Sequence, residues 1–296
     1  MKRQLIALAT GALAATMLAG CSSSPASPTT SATTPAPAAT NSSPAGPASS
    51  TDTSAAVTLV APGTLTVCTN PPFKPMEYAD DSGNIVGFDL DVMGLVAAKL
   101  GVSVNPINTD FAQITSGAAM AAKKCDIGAS SITITDARKQ AVTFSAPYFS
   151  ATQALAAKSS SGITGLADMK GKNLAVQTDT TGADYANQYS SQYGYTVVVF
   201  DDGGTALNAI LSGKADATLI DLPIVADFVA SNPGTAMVTQ FQTGEQYGFA
   251  MTKDANGAAL ASVVNQVLQT AVADGSYLKI YQKWIDPKAT SISLPS

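Results

Sequence analysis

Short apolar runs alternate with helix-forming segments along most of the chain, and this alternation limits the possible folds more than any other feature. Thr64–Thr69 is a β-rich run, whereas Gly87–Gly101 has acids at a helix start, apolar residues at helical spacing and a closing glycine. This pattern predicts layered α/β structure. Two extended segments, Phe149–Lys158 and Gln246–Met251, are interpreted as crossings between lobes. We therefore expect two α/β lobes, joined by a two-strand hinge, with a ligand cleft between them.

The N-terminal segment resembles an export signal. Lys2 and Arg3 precede an apolar stretch that is too short to span a membrane, so residues 1–20 are predicted to be a signal peptide. Cys21 follows Leu-Ala-Gly, which resembles a lipoprotein cleavage box; the alternative is an ordinary secretory signal with a chance cysteine. An acylated Cys21 would anchor the protein at the extracytoplasmic face of the cell membrane.

The remaining chain divides by composition. Residues 21–58 consist mainly of Ser, Thr, Pro and Ala, and such a segment cannot bury enough apolar surface to fold, so we expect a disordered tether. Residues 59–148 and 246–287 are predicted to form the first lobe. Residues 149–245, with the hinge crossings, are predicted to form the second.

Composition excludes several kinds of site. The chain has no histidine, so serine-histidine catalysis and histidine-ligated metal sites are excluded. Two cysteines besides Cys21 cannot complete a thiolate zinc site. Without the signal peptide, 14 basic residues face 21 acidic ones, a formal charge of −7 that argues against nucleic acid as a partner.

The segment Cys125–Tyr148 places polar groups at the end of a strand. Its apolar run at residues 127–129 is predicted to be a buried parallel strand, and Thr135 is predicted to cap a helix. The hydroxyl residues between them are Ser130, Ser131 and Thr133. Arg138 lies on the first turn of the helix, where its guanidinium can clamp a carboxylate through two parallel hydrogen bonds. The alternative for Arg138 alone is a solvated surface arginine.

Several motifs together resemble a known family. S-S-I-T-I-T-x-x-R followed by F-S-A-P-Y, G-F-D-L-D-V-M-G and the helix ending in Trp284 are similar to segments of the extracellular solute-binding proteins that deliver polar amino acids to ABC importers. The resemblance extends over about Leu59–Pro287. It implies a type II periplasmic-binding-protein-like fold, and a monomer that passes an amino acid to the importer's permease subunits without a cofactor or metal.

The resemblance also implies a ligand site. Arg138, Thr133, Thr181 and Asp221 would hold the α-carboxylate and α-ammonium groups, with Ser131 beside them. Phe73 and Phe111 would sandwich the side chain. Two alternatives stay open, since Phe73 could be simple packing and Asp221 could cap the following helix.

Ligand preference is assigned from the remaining site residues. Asn70 matches a position at which family members that bind basic amino acids have aspartate. Gln177 matches a position at which some glutamine binders have lysine. These residues favour a neutral polar ligand, glutamine or asparagine first. Two other functional classes remain, namely an exported dehydratase-like enzyme on the same fold and an amino-acid sensor.

Two further expectations concern single residues. Cys68 and Cys125 form an even pair in an exported protein, which favours a disulfide. Their places late in one strand and at the start of another weigh slightly against it, because a bridge needs Cα atoms within roughly 7 Å. The family's usual turn resembles Gly-Thr-Thr where this chain has Asp179-Thr180-Thr181. We expect Asp179 to be the N-cap of the next helix and to compete with the ligand for backbone N–H groups. The alternative is that Asp179 points to solvent and caps nothing near the ligand.

Overall fold

A computed structural model describes residues 57–296. The predicted signal peptide, the predicted lipidation site Cys21 and all of the tether before residue 57 lie outside the described residues. Within the described part, strands and helices alternate along the chain as expected of α/β structure, and most of the strands belong to two mixed sheets.

The described secondary structure begins at Thr64 and ends at Trp284. The strands are β1 (Thr64–Thr69), β2 (Tyr78–Ala79), β3 (Ile85–Val86), β4 (Ser103–Asn108), β5 (Ile127–Gly128), β6 (Thr143–Phe144), β7 (Phe149–Lys158), β8 (Asn173–Gln177), β9 (Thr196–Phe200), β10 (Ala217–Asp221), β11 (Thr235–Tyr247) and β12 (Ala250–Met251). The α-helices are α1 (Phe88–Leu100), α2 (Phe111–Thr115), α3 (Ala118–Ala121), α4 (Asp136–Ala141), α5 (Thr181–Tyr193), α6 (Gly203–Ser212), α7 (Leu222–Ser231), α8 (Ala255–Asp274) and α9 (Ser276–Trp284). A short 3₁₀ helix covers Leu166–Met169.

Each of the two large sheets forms the centre of one lobe. The first sheet has the order β4-β1-β5-β12-β6, and the second has the order β11-β7-β10-β8-β9. In the first sheet β1 is parallel to both neighbours, whereas β12 returns antiparallel to β5. In the second sheet β8 is parallel to β10 and β9. The predicted two-lobed α/β fold is confirmed.

The hinge is built from the start of β7 and the end of β11. These strands run antiparallel, and Phe149 pairs with Tyr247 at the point where both leave the second sheet. The Phe149 and Tyr247 rings stack with centroids 5.6 Å apart, and Tyr148 stacks on Phe249 at 4.0 Å. Because all four rings are buried, the two crossings pass through a shared aromatic core.

Cys68 and Cys125 form a disulfide, so the argument against it from strand positions is wrong. Their Cα atoms lie 5.7 Å apart. Both side chains are buried in one cluster with Ile114 and Met120. The two cysteines therefore meet in a buried cluster that includes residues of α2 and α3, the helices that precede β5.

The described residues contain no helix long and apolar enough to cross a membrane. From residue 57 onwards there is also no cluster of three or more cysteine, aspartate or glutamate side chains that could hold a metal ion.

Candidate ligand-binding site

A cavity lies between the lobes at the carboxyl ends of β1, β5, β8 and β10, which is where α/β sheets place their ligands. Its lining residues are Asn70, Phe73, Glu77, Phe111, Ser130, Ser131, Thr133, Arg138, Gln177, Thr180, Thr181 and Asp221. All nine residues proposed from the sequence are among them. The structure brings these residues together, while their contacts with a ligand stay predictions.

Arg138 is held by backbone groups of both lobes. Thr135 caps α4 as predicted, with its hydroxyl oxygen accepting a hydrogen bond from the Arg138 N–H at 3.2 Å. The guanidinium donates to the carbonyl oxygen of Thr133 at 2.9 Å and to that of Asp179 at 2.7 Å. It also lies 5.3 Å from the centroid of the Phe111 ring. Since a guanidinium has five N–H donors, three remain for an anion in the cavity.

Arg138 keeps its charge at this position. Burial lowers the pKa of the guanidinium, and nearby carboxylates, Asp221 first, act in the opposite direction. An arginine that starts from so high a pKa stays protonated at any physiological pH. The site therefore presents a permanent cation, fixed in direction by two carbonyl groups.

Asp221 supplies the opposite charge. It occupies the N-cap position of α7, but its side chain makes no capping hydrogen bond and so is not used to stabilise the helix start. Its carboxylate accepts a hydrogen bond from the Gln153 side-chain amide. Burial, followed by the nearby Glu245 carboxylate, raises the pKa of Asp221 to about 7. A cationic group entering the cavity would favour the ionised form.

Asn70 and Gln177 join the lobes at another part of the cavity. The Asn70 amide donates to the carbonyl oxygen of Thr109 at 3.0 Å, which fixes its orientation. The Gln177 amide then donates to the Asn70 side-chain oxygen at 2.7 Å, across the cleft. Both residues are buried. This hydrogen bond joins the two lobes, and it occupies the Asn70 oxygen and the Gln177 nitrogen, two of the atoms from which a neutral ligand was predicted.

The aromatic walls belong to the first lobe, and the second lobe covers Phe73 closely. Phe73 and Phe111 are each 7% exposed. A Cβ atom on Gly203, at the start of α6, would lie only 2.7 Å from the Phe73 ring. Glycine at this position therefore allows the second lobe to approach the aromatic wall.

Glu77 is a cavity residue that sequence analysis missed. It is completely buried, and its Oε1 accepts a hydrogen bond from the Ser130 hydroxyl at 2.6 Å. Its second oxygen, Oε2, is buried without a hydrogen-bond partner. Burial raises the pKa of Glu77 well above its ordinary value, and the neighbouring Asp89 raises it further. No sequence signal distinguishes this acid from a surface acid, because only the fold of the turn around Phe73 directs it inward.

Asp89 supports the cavity from behind. It is one of the acids at the start of α1, yet the N-cap of this helix is Gly87 and no side chain caps it. The Asp89 carboxylate instead accepts hydrogen bonds from the Ser131 N–H at 2.8 Å and from the Tyr148 hydroxyl at 2.7 Å. Ser131 has the left-handed φ of 49°, so Asp89 stabilises an unusual backbone conformation at the cavity wall.

Asp179 is not the cap of α5, and this expectation is wrong. The N-cap is Thr180, whose hydroxyl accepts a hydrogen bond from the Ala183 N–H at 3.1 Å. Asp179 has a φ of 56°, and its side chain is exposed. Glycine adopts this left-handed conformation more readily than aspartate. The left-handed backbone at Asp179, which directs its carbonyl at Arg138, is therefore a conformation that suits the glycine of the Gly-Thr-Thr turn.

Comparison with known proteins agrees with this architecture. Residues 65–287 match the family described as bacterial extracellular solute-binding proteins, family 3. The chain is 30% identical over 227 residues to a probable histidine-binding protein of Neisseria gonorrhoeae, covering 74% of this chain and 81% of that protein. A solved ancestral arginine-binding protein bound to arginine is 36% identical, with a TM-score of 0.70, and the match covers 75% of this chain and 98% of that one. An ancestral arginine-binding protein bound to glutamine is also 36% identical, with a TM-score of 0.69 over 76% and 98% of the two chains.

Proposed function

Because the chain belongs to the bacterial extracellular solute-binding proteins, family 3, we propose that it captures an α-amino acid outside the cytoplasmic membrane and delivers it to an ABC importer. Its curated relatives are binding proteins, which places this chain with carriers and not with enzymes. The proposal for the ligand rests on the charges and free hydrogen-bonding groups of the cavity.

The α-carboxylate binds Arg138 in this proposal. The three N–H donors left on the guanidinium can make a bidentate contact with a carboxylate. The α-ammonium group binds the Asp221 carboxylate from the second lobe. Because Arg138 belongs to the first lobe and also contacts the Asp179 carbonyl of the second, ligand binding and lobe closure support each other.

We assign the side-chain end of the ligand to Glu77, and we name L-arginine as the proposed ligand. The unpartnered Oε2 of Glu77 is the observation that carries this proposal. An ionised carboxylate is costly in a buried position unless a cation compensates it, and a guanidinium would do so with two hydrogen bonds. Phe73 and Phe111 are placed to enclose the aliphatic part of such a side chain. Names of relatives that include arginine and histidine are consistent with a basic ligand.

L-Glutamine is the competing ligand, as favoured from the sequence. A protonated Glu77 could donate a hydrogen bond to its side-chain carbonyl oxygen. Asn70 and Gln177, on which the neutral preference was based, already bond to each other.

Location and assembly complete the proposal. Cys21 would carry the lipid anchor, and the Ser/Thr/Pro/Ala tether would give the binding domain reach from the extracytoplasmic face of the membrane. The protein would act as a monomer that docks on the permease subunits.

Calorimetric titration with each of the twenty amino acids tests the function, and product analysis of the bound amino acid tests the enzyme alternative. We expect L-arginine to bind most tightly and to be recovered unchanged. Glu77→Gln should weaken L-arginine binding by roughly tenfold or more, while L-glutamine binding stays within about threefold. Asp81→Asn, which removes an exposed acid four residues away, is the matched control. Wild-type preference for L-glutamine, or full L-arginine affinity in Glu77→Gln, would overturn the cationic assignment.

A further inference from the structure

The side-chain amide of Gln153 lies between two carboxylates. Its nitrogen donates to Asp221 and, at 3.0 Å, to Oε2 of Glu245. An amide nitrogen carries two hydrogens, so one is available for each acid. Gln153 is only 1% exposed, so its side chain bonds to the two acids inside the protein and not at the surface.

The sheet order explains why these three side chains meet. β7, which carries Gln153, lies between β10 and β11. Gln153 pairs with Asp221 on one side and with Phe241 on the other. The register of β11 shifts between Phe241 and Glu245, and such irregularities redirect side chains. After this shift, the Glu245 side chain reaches the side-chain amide of Gln153.

Glu245 does not line the cavity, but it contacts a residue that does. Its Oε2 lies 3.3 Å from the Thr133 hydroxyl, which donates to it from the first lobe. The hydroxyl oxygens of Thr133 and Thr181 lie 3.4 Å apart, and both residues line the cavity. Glu245 is therefore one hydrogen bond away from the residues proposed to hold the ligand's α-groups.

The acceptors near Gln153 lie on two sides of its amide. The Asp221 and Glu245 carboxylates accept from its nitrogen. Its oxygen, Oε1, is buried without a hydrogen-bond partner and faces Gly182 at the start of α5. An ammonium group carries three N–H donors and a positive charge, and thus suits a place where two carboxylates meet.

We propose that Glu245 is a second carboxylate of the ammonium subsite and that Gln153 is the positioning residue that holds it beside Asp221. The inference rests on the proposed function, because it presumes an α-amino acid ligand. Two carboxylates side by side repel each other unless a donor or a cation lies between them. Gln153 supplies the donors in the free protein, and the ligand's ammonium supplies the cation.

The inference predicts which ligands lose affinity when Glu245 is changed. We would titrate wild type and Glu245→Gln with L-arginine and with 5-guanidinopentanoate, the same molecule without its ammonium group. The affinity of the weaker ligand is measured by its competition with the tighter one. L-Glutamine and 4-carbamoylbutanoate provide a second pair in case the wild type prefers a neutral side chain.

Wild type should prefer each amino acid over its des-amino analogue. In Glu245→Gln this preference should fall by roughly tenfold, because the amino acid loses a charge partner and the analogue does not. Gln153→Met should reduce the preference too, by releasing Asp221 and Glu245. Asp184→Asn is the matched control, since this exposed acid lies near Arg138 without bonding to Gln153, and its preference should equal that of wild type.

A role that is merely structural would weaken the amino acid and its analogue equally. An unchanged preference in Glu245→Gln therefore overturns the inference even if overall affinity falls. If Gln153→Met fails to fold, Glu245→Gln still decides, because it keeps the size of the side chain. Failure of the proposed function looks different, as wild type would then bind none of the twenty amino acids.

Discussion

The Asp89 carboxylate accepts a hydrogen bond from the backbone N–H of Ser131 across 2.8 Å, joining the first turn of α1 to the wall of the ligand cavity. The same carboxylate accepts from the Tyr148 hydroxyl, and Tyr148 immediately precedes the hinge strand β7. One buried acid thus connects the cavity wall with the hinge. Burial raises its pKa to about 7.

Removing this acid should cost stability. Asp89→Ala leaves two buried donors without partners, and we expect the free energy of unfolding to fall by about 2–6 kcal/mol. Asp89→Asn keeps an acceptor oxygen and should lose less. Asp91→Ala, on the same helix but bonded to Lys283 and Trp284 near the surface, is the control. Urea denaturation measures all three, and equal losses for Asp89→Ala and Asp91→Ala would contradict this account.

Arg138→Ala should remove most amino-acid binding without unfolding the protein. Loss of a charged partner in a closed site costs on the order of 2–5 kcal/mol of binding free energy, because the ligand carboxylate is left unpaired. Lys139→Ala serves as the control, since Lys139 is largely exposed and pairs only with Asp136. Calorimetric titration gives the affinities and circular dichroism verifies the fold. Wild-type affinity in Arg138→Ala would exclude the carboxylate assignment.

Stability of the ligand-free protein should decrease as pH rises. Burial raises the pKa of Asp221 and of Asp89 from 3.8 to about 7. The folded chain therefore holds these protons more tightly than the unfolded chain, and that contribution is lost as pH rises through about 7. Acids whose pKa is lowered, such as Asp168 and Asp254, titrate below this window.

The measurement is denaturation at pH 5 and pH 8 without ligand. We expect higher stability at the lower pH, and a smaller difference in Asp221→Asn. Affinity for a ligand ammonium should change in the opposite direction, because the ammonium binds the ionised carboxylate. Greater ligand-free stability at pH 8 than at pH 5 would show that burial does not control these acids.

Reduction of the disulfide should destabilise the protein. Cys68 and Cys125 are separated by 57 positions in sequence, and cross-linking a loop of that length restricts the unfolded chain by about 4 kcal/mol. Chemical denaturation with and without reductant measures the loss. Mass spectrometry after alkylation verifies the redox state, and the double substitution of both cysteines by serine should reproduce the effect. No change on complete reduction would contradict it.

Asp179→Gly should leave ligand binding nearly unchanged. The cap of α5 is Thr180, so the aspartate side chain does not compete for its backbone N–H groups. The carbonyl that contacts Arg138 is present in both proteins. We expect affinities within about threefold, whereas Thr180→Ala should destabilise α5 by about 0.5–2 kcal/mol. Tighter binding by much more than threefold in Asp179→Gly would restore the idea of competition.

Features decided by short segments could be predicted from the sequence. The hydrogen bond that the Thr135 hydroxyl accepts at the start of α4 is present, and so is the extended run Phe149–Lys158. The alternation of strands and helices likewise depends on spacing within some ten residues. The nine cavity residues were identified through resemblance to family motifs. Such motifs reflect contacts between residues that are distant in sequence, which local spacing alone does not reveal.

Features decided by contacts between distant residues required the tertiary structure. Cys68 meets Cys125 because α3 packs beneath the first sheet, and Glu77 faces the cavity because of the turn around Phe73. The N-cap of α5 is Thr180 and not the predicted Asp179. The carbonyl of Asp179 is instead turned towards Arg138, a residue of the other lobe. A hydrogen-bonding preference belongs to the residue itself, so the sequence determined which groups could cap, clamp or pair. Which groups meet depends on strand register and lobe closure, and burial gains summed over the whole chain decide both.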